Sequence, residues 1–197
     1  GQDLMGYHPD SVWRSDGRLY YPDGSSKPLY TKATLKERKG ALLPLENANA
    51  YRLGALYKDT GPFDPNLFVL CDVYNRVTNR ITGKRVGMPI LYYKADTSKS
   101  SHNLSDPYDP DNIYNFYDNY ELIALGFPGK PLPHDGGPIH ELIEPKRFYM
   151  NTRNDKVSID RPFRADTYIL ISAGFDGEYG TADDICNFEW KYRELLP

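Results

Sequence analysis

Hydrophobic residues in this chain come in short bursts, set apart by long polar stretches rich in turn formers. The run from Leu67 to Tyr74 follows the turn at Gly61-Pro62 and reads as a buried strand. Pro89 to Lys94, entered through Gly87, reads as a second strand. Thr167 to Ser172, with Tyr168, Ile169, Leu170 and Ile171 in series, is the clearest strand of all. Phe188 to Tyr192 alternates by size and polarity and predicts a last edge strand.

Helical patterning is weaker. Leu35, Leu42, Leu43, Leu45, Leu53, Leu56 and Tyr57 can line one or two short helices broken near Pro44, with Thr34 and Glu37 spaced as a capping box. A short helix is expected near Asp111–Tyr120, with Asp109 or Asp111 as its cap. Residues 139–148 read as a short helix, or a turn cut at Pro145. Residues 1–34 read as irregular, with a small hairpin around Pro22-Asp23-Gly24, and 126–138 as a loop. No repeat or low-complexity tract divides the chain, so residues 1–197 are expected to form one α+β domain with antiparallel pairing.

Composition sharpens this picture. The 17 Tyr, 16 Pro and 16 Gly fit short strands joined by ordered loops that amphipathic rings cover. A net charge of -3 gives no electrostatic reason to expect nucleic acid as a partner. Two cysteines, Cys71 and Cys186, are too few for a disulfide scaffold, and the sequence leaves their pairing open. No apolar run reaches the roughly 18 residues of a membrane span. The chain is read as following an N-terminal segment, with Gly1 a cloning remnant.

The candidate chemistry lies between Ser172 and Asn187. Asp176, Glu178, Asp183 and Asp184 fall within nine residues with no Lys or Arg among them, and Gly174, Gly177 and Gly180 recur every third position. A hard cation offsets such repulsion, and calcium takes roughly six to eight oxygens from carboxylates, hydroxyls and carbonyls. Asp176 and Asp184 can close the loop from both ends. Asp183 or the Thr181 hydroxyl can add a ligand. The spacing is not that of an EF-hand. A loop whose Asp side chains cap backbone amides fits the same residues.

Asp166 to Phe188, with its strand ending Ser172-Ala-Gly-Phe-Asp176-Gly and its later Ala182-Asp-Asp-Ile185, resembles the C-terminal signature of pilin-like proteins of the type II secretion and type IV pilus superfamily. Gly87-Met-Pro-Ile-Leu-Tyr-Tyr-Lys-Ala-Asp96 is similar to a second segment of that family. The resemblance implies a pilin-like head domain whose antiparallel sheet packs on an N-terminal helix that anchors the subunit and enters a filament. It implies a structural subunit of the bacterial envelope on the periplasmic or extracellular side. Other pilin-like subunits would be its partners, and it would have no catalytic role. It also implies calcium in the C-terminal loop, with Asp176 and Asp184 as the matching ligands, Asp183 beside them, and Ser172 and Thr181 supplying carbonyl or hydroxyl contacts. The family's N-terminal helix and processing motif are missing from this sequence, and residues 97–160 are expected to be an insertion.

Other constellations are weaker. His134 and His140 are separated by Gly136-Gly137-Pro138, which breaks any helix that would put them on one face. Ser172 lacks the Gly two residues before it that a nucleophile elbow needs. Asp106, Asp109 and Asp111 belong to turn-rich sequence. Tyr108, Tyr114, Tyr117 and Tyr120 are expected to pack a short helix on the sheet. Alternatively they form a surface that binds carbohydrate or protein.

Overall fold

The computed structural model describes residues 12–13, 19–20 and 49–193. Contacts divide the chain into Gly1–Pro44 and Leu45–Pro197. In the first unit, β1 (Val12–Trp13) pairs antiparallel with β2 (Leu19–Tyr20). The hairpin expected at Pro22–Gly24, the capping box at Thr34 and Glu37, and the helical pattern before residue 49 lie outside the described residues.

The second unit mixes short helices with antiparallel strands, an α+β arrangement. β3 (Ala50–Arg52) leads directly into α1 (Leu53–Leu56) and pairs with β4 (Phe68–Leu70). A small ribbon joins β5 (Val77–Thr78) to β6 (Arg85–Val86). β7 (Leu91–Lys94) pairs with β8 (Tyr168–Ser172), and β8 pairs with β9 (Ile185–Cys186). A bridge between Cys71 and Pro89, with Ile90 N–H donating to Leu70 O and Asp72 N–H to Met88 O, joins the end of β4 to the entry of β7. The strands thus form two sheets, β3-β4 and β7-β8-β9, that meet at this one bridge.

Leu91, Tyr93, Ile169 and Ile171 are fully buried on one face of this sheet. Over them pack α2 (Tyr120–Ala124) and α3 (Pro145–Thr152), with Phe148 4.5 Å from Tyr93 between ring centroids. Ile113, Tyr114, Phe116, Ile123, Leu142, Phe148 and Tyr149 all belong to the core. The segment 97–160 thus supplies the helical layer over the sheet.

Local chemistry moved several boundaries. The expected buried strand at Leu67–Tyr74 is only three residues long, and its Phe68 and Leu70 face outward. Asp109 and Asp111 do not cap a helix. Asp109 accepts from the Asp111 amide, and Asp111 pairs with Lys99 at 2.7 Å. The turn Phe116–Asp118 is capped instead by Asn115, which accepts from Tyr117 N–H. Pro145 does not cut a helix but opens α3 at a first-turn position, where a missing N–H costs nothing. Phe188–Tyr192 forms no strand. Trp190 Nε1 donates to Thr181 O, and Arg193 bonds Asp155 through two 2.6 Å contacts, so this tail is fastened by side chains.

Cys71 and Cys186 are both free. Cys71 lies beside the β7 strand, then β8, then Cys186 on β9. Three strand spacings separate them, about 14 Å, and a disulfide spans at most about 7 Å between Cα atoms.

Candidate functional site

β8 delivers the acidic loop. Its last residue, Ser172, is buried and donates its hydroxyl to Asp72 Oδ2 at 2.8 Å while accepting from Gly174 N–H at 3.3 Å. Asp72 Oδ1 accepts from the amides of Tyr74 and Met88. This buried carboxylate ties three distant segments together. Sequence reading missed it because nothing around Asp72 marks it until residues 88 and 172 arrive. A Cβ at Gly87 would stand 2.0 Å from Asp72 O, which explains the glycine there.

Beyond Ser172 the chain turns through Gly174, Gly177 and Gly180, all at positive φ. Asp183 works as the loop's internal staple. Its Oδ2 accepts from the amides of Phe175 (2.7 Å) and Asp176 (3.1 Å), and its Oδ1 accepts from the Thr181 hydroxyl at 2.7 Å. Burial pushes the Asp183 carboxyl up, but these hydrogen bonds outweigh it and hold the group below the ordinary range. Asp176 is exposed and accepts from Glu178 N–H at 2.8 Å. Partial burial, with the Asp183 side chain beside it, raises its pKa.

Asp184 differs from both. It is 6% exposed. Its Oδ2 accepts from Gly180 N–H at 2.8 Å, while Oδ1 has no hydrogen-bond partner among the described residues. Burial first, then the charges of Asp176 and Asp183, push its carboxyl from 3.8 up to about 8. A buried carboxylate oxygen without a donor costs several kcal/mol unless it is protonated or meets a cation.

The loop is seated on the core by Tyr179, which is fully buried. Its amide donates to His140 Nδ1 at 3.3 Å, its carbonyl accepts from Leu142 N–H at 2.9 Å, and its hydroxyl donates to Pro89 O. His140 is stacked on Phe127 at 4.2 Å, with Nε2 3.1 Å from Gly126 O, and burial lowers its pKa to about 4. It is a neutral structural ring, while His134 is exposed beside Asp135.

Of the five residues singled out from sequence, Asp176, Thr181, Asp183 and Asp184 share the loop, with Thr181 and Asp183 in direct contact. Ser172 stands at its root and is spent on Asp72 and Gly174. No group of three or more His, Cys, Asp or Glu side chains among the described residues is arranged to hold a metal by itself. A cation at Asp184 Oδ1 would need its further ligands from groups other than clustered His, Cys, Asp or Glu side chains, and oxygen ligands of that kind suit calcium and not zinc. Comparison with protein-family models, with curated proteins and with solved structures finds no significant match.

Proposed function

We propose that this chain is the head of a structural subunit in a pilin-like filament, of the type II secretion pseudopilus or type IV pilus kind. In this reading it performs no covalent chemistry. It stands on the periplasmic or extracellular side of a bacterial envelope, and a native N-terminal helix anchors it before assembly. Asp184 carries the reading: a buried carboxylate with an unpartnered oxygen, in a glycine-turned loop that leaves a central antiparallel strand. Calcium would neutralise it there, joined by Asp176 and loop carbonyls, while Asp183 and Thr181 keep the loop's shape. The sequence signature from Asp166 to Phe188 supports the same reading.

The test is thermal unfolding of metal-stripped protein in calcium, magnesium or chelator. A ligand bound only by the folded state at a hundredfold excess over Kd adds about 2.7 kcal/mol, or roughly 5–10 °C for a domain of this size. That rise should be specific to calcium and absent in Asp184→Ala. No response would remove the metal from the reading. A full-length gene product without an N-terminal apolar helix would remove the filament.

A second reading is a module that binds carbohydrate or protein. It draws on Tyr108, which is 75% exposed and stacked on Tyr117 at 5.2 Å. Glycan binding that survives Asp184→Ala and is lost in Tyr108→Ala would favour it.

A further inference from the structure

Residues 188–193 cross the domain without joining a sheet, and side chains anchor them at two separate places. One anchor is the acidic loop. Trp190 Nε1 donates to Thr181 O at 2.8 Å. Between Tyr179 and β9 this is the loop's one hydrogen bond to a residue beyond the loop, among the described residues. Thr181 in turn donates its hydroxyl to Asp183, so Trp190 braces the staple that shapes the loop.

The other anchor is the end of α3. The Arg193 amide donates to Asn151 Oδ1 at 3.1 Å, and its guanidinium donates to Met150 O. α3 has no basic residue in its own last turn. Its last carbonyls find no partner within the helix, and Arg193 supplies the cation that a helix C-terminus favours. Asp155, just past the helix, holds Lys191 at 3.1 Å and Arg193 at 2.6 Å. A further ion pair joins Glu189 to Lys156 at 3.2 Å.

These fastenings are weak in a particular way. The Lys156 and Glu189 side chains are 72 and 54% exposed, and Asp155 is 44% exposed. Exposed pairs contribute little each and are screened by salt. Phe188 and Trp190 pack against the core but are only partly buried, whereas Ile169 and Ile171 of β8 are fully buried. Local opening begins where buried apolar contact is least.

We infer that residues 188–193 form a latch, which docks and releases as one unit under the control of ionic strength and, when docked, ties the 180–184 end of the acidic loop to the C-terminal end of α3. Both ends bias the same docked–released equilibrium, so a change at one is felt at the other. The latch gives the acidic loop two settings, braced and free, and the surrounding salt selects between them. It rests neither on the filament reading nor on a bound cation.

The test is hydrogen exchange read by mass spectrometry on the full chain, in chelator throughout. Salt is set at about 10 mM and about 1 M, between which the Debye length falls from roughly 30 to roughly 3 Å. Peptides covering 180–184 and 188–193 should exchange roughly three- to tenfold faster at high salt, the scale of losing a few exposed ion pairs, while β7 and β8 keep their rates. Asp155→Asn is the decisive variant, because Asp155 bonds Lys191 and Arg193 but no residue of the acidic loop among the described residues. It should give the fast rates at 180–184 already in low salt and remove most of the salt dependence. Unchanged exchange at 180–184 in Asp155→Asn, or no salt effect in the wild type, overturns the inference. So does acceleration shared equally by β7 and β8, which would be global destabilisation. With chelator present throughout, a missing calcium response leaves this result unaffected.

Discussion

Two stretches of this chain are equally rich in Asp and in the turns that Asp side chains make, and they end in opposite physical states. In residues 103–112, Asp106 accepts from Tyr108 N–H, Asp109 accepts from Asp111 N–H and from Asn103 Nδ2, and Asp111 pairs with Lys99. Hydrogen bonds from Asn103 and the Asp111 amide draw Asp109 below the ordinary carboxyl range. No described residue there has positive φ. In residues 173–186 the same turn chemistry is present at Asp176 and Asp183, but Tyr179 pulls the loop into the core and takes Asp184 with it. Composition is therefore a poor guide to which acidic loop stores unfavourable charge. The buried aromatic beside it is the deciding feature.

The largest break in this contrast comes from Gly174. It sits at φ +59° and a Cβ there would meet Asp183 O at 2.3 Å. Gly174→Ala should cost about 3 kcal/mol or more, combining left-handed strain with a backbone clash, measured by urea unfolding. The other loop holds no comparable position.

The pH profile sharpens the contrast next. Asp184 has a folded pKa raised from 3.8 to about 8, so its contribution is full below 3.8 and is lost as pH rises through 8. His140 and His102 have folded pKa values lowered, chiefly by burial, from 6.5 to about 4 and about 3. Their contribution is full above 6.5 and is lost as pH falls. In chelator, stability measured by urea titration should peak near pH 6.5. Asp184→Asn should flatten the alkaline limb, and calcium should flatten it in the wild type. A profile that rises from pH 7 to 9 without metal would show that Asp184 is not strained.

Smaller effects follow. Trp190→Phe removes the bond to Thr181 O and should lower stability by about 1 kcal/mol, with faster amide exchange at Thr181. Asp109→Ala, in an exposed turn, should cost less than about 1 kcal/mol and leave any calcium response untouched.

Sequence reading placed β7 and β8 within a residue or two and found the loop, because β-branched and aromatic runs next to glycine turns are local signals. It misjudged β4, because an apolar run such as Leu67–Leu70 reads the same whether its strand is covered on both faces or on one. It ranked Asp176 with Asp184. Nothing local distinguishes an Asp that caps an amide in water from one carried inward by a tyrosine five residues earlier. It did not find Asp72, whose partners are 16 and 100 residues away.

By itself, then, the sequence determined the strand at Tyr168–Ser172, the glycine-turned loop after it and the density of oxygen ligands, since each depends on neighbours a few residues apart, while the closing strand formed at Ile185–Cys186 and not at the expected Phe188–Tyr192. Tertiary structure alone decided that Asp184 and not Asp183 is left with an unpartnered oxygen. It also decided that Cys71 and Cys186 stand three strand spacings apart. Those outcomes depend on register, and register is set by contacts between segments up to 100 residues apart.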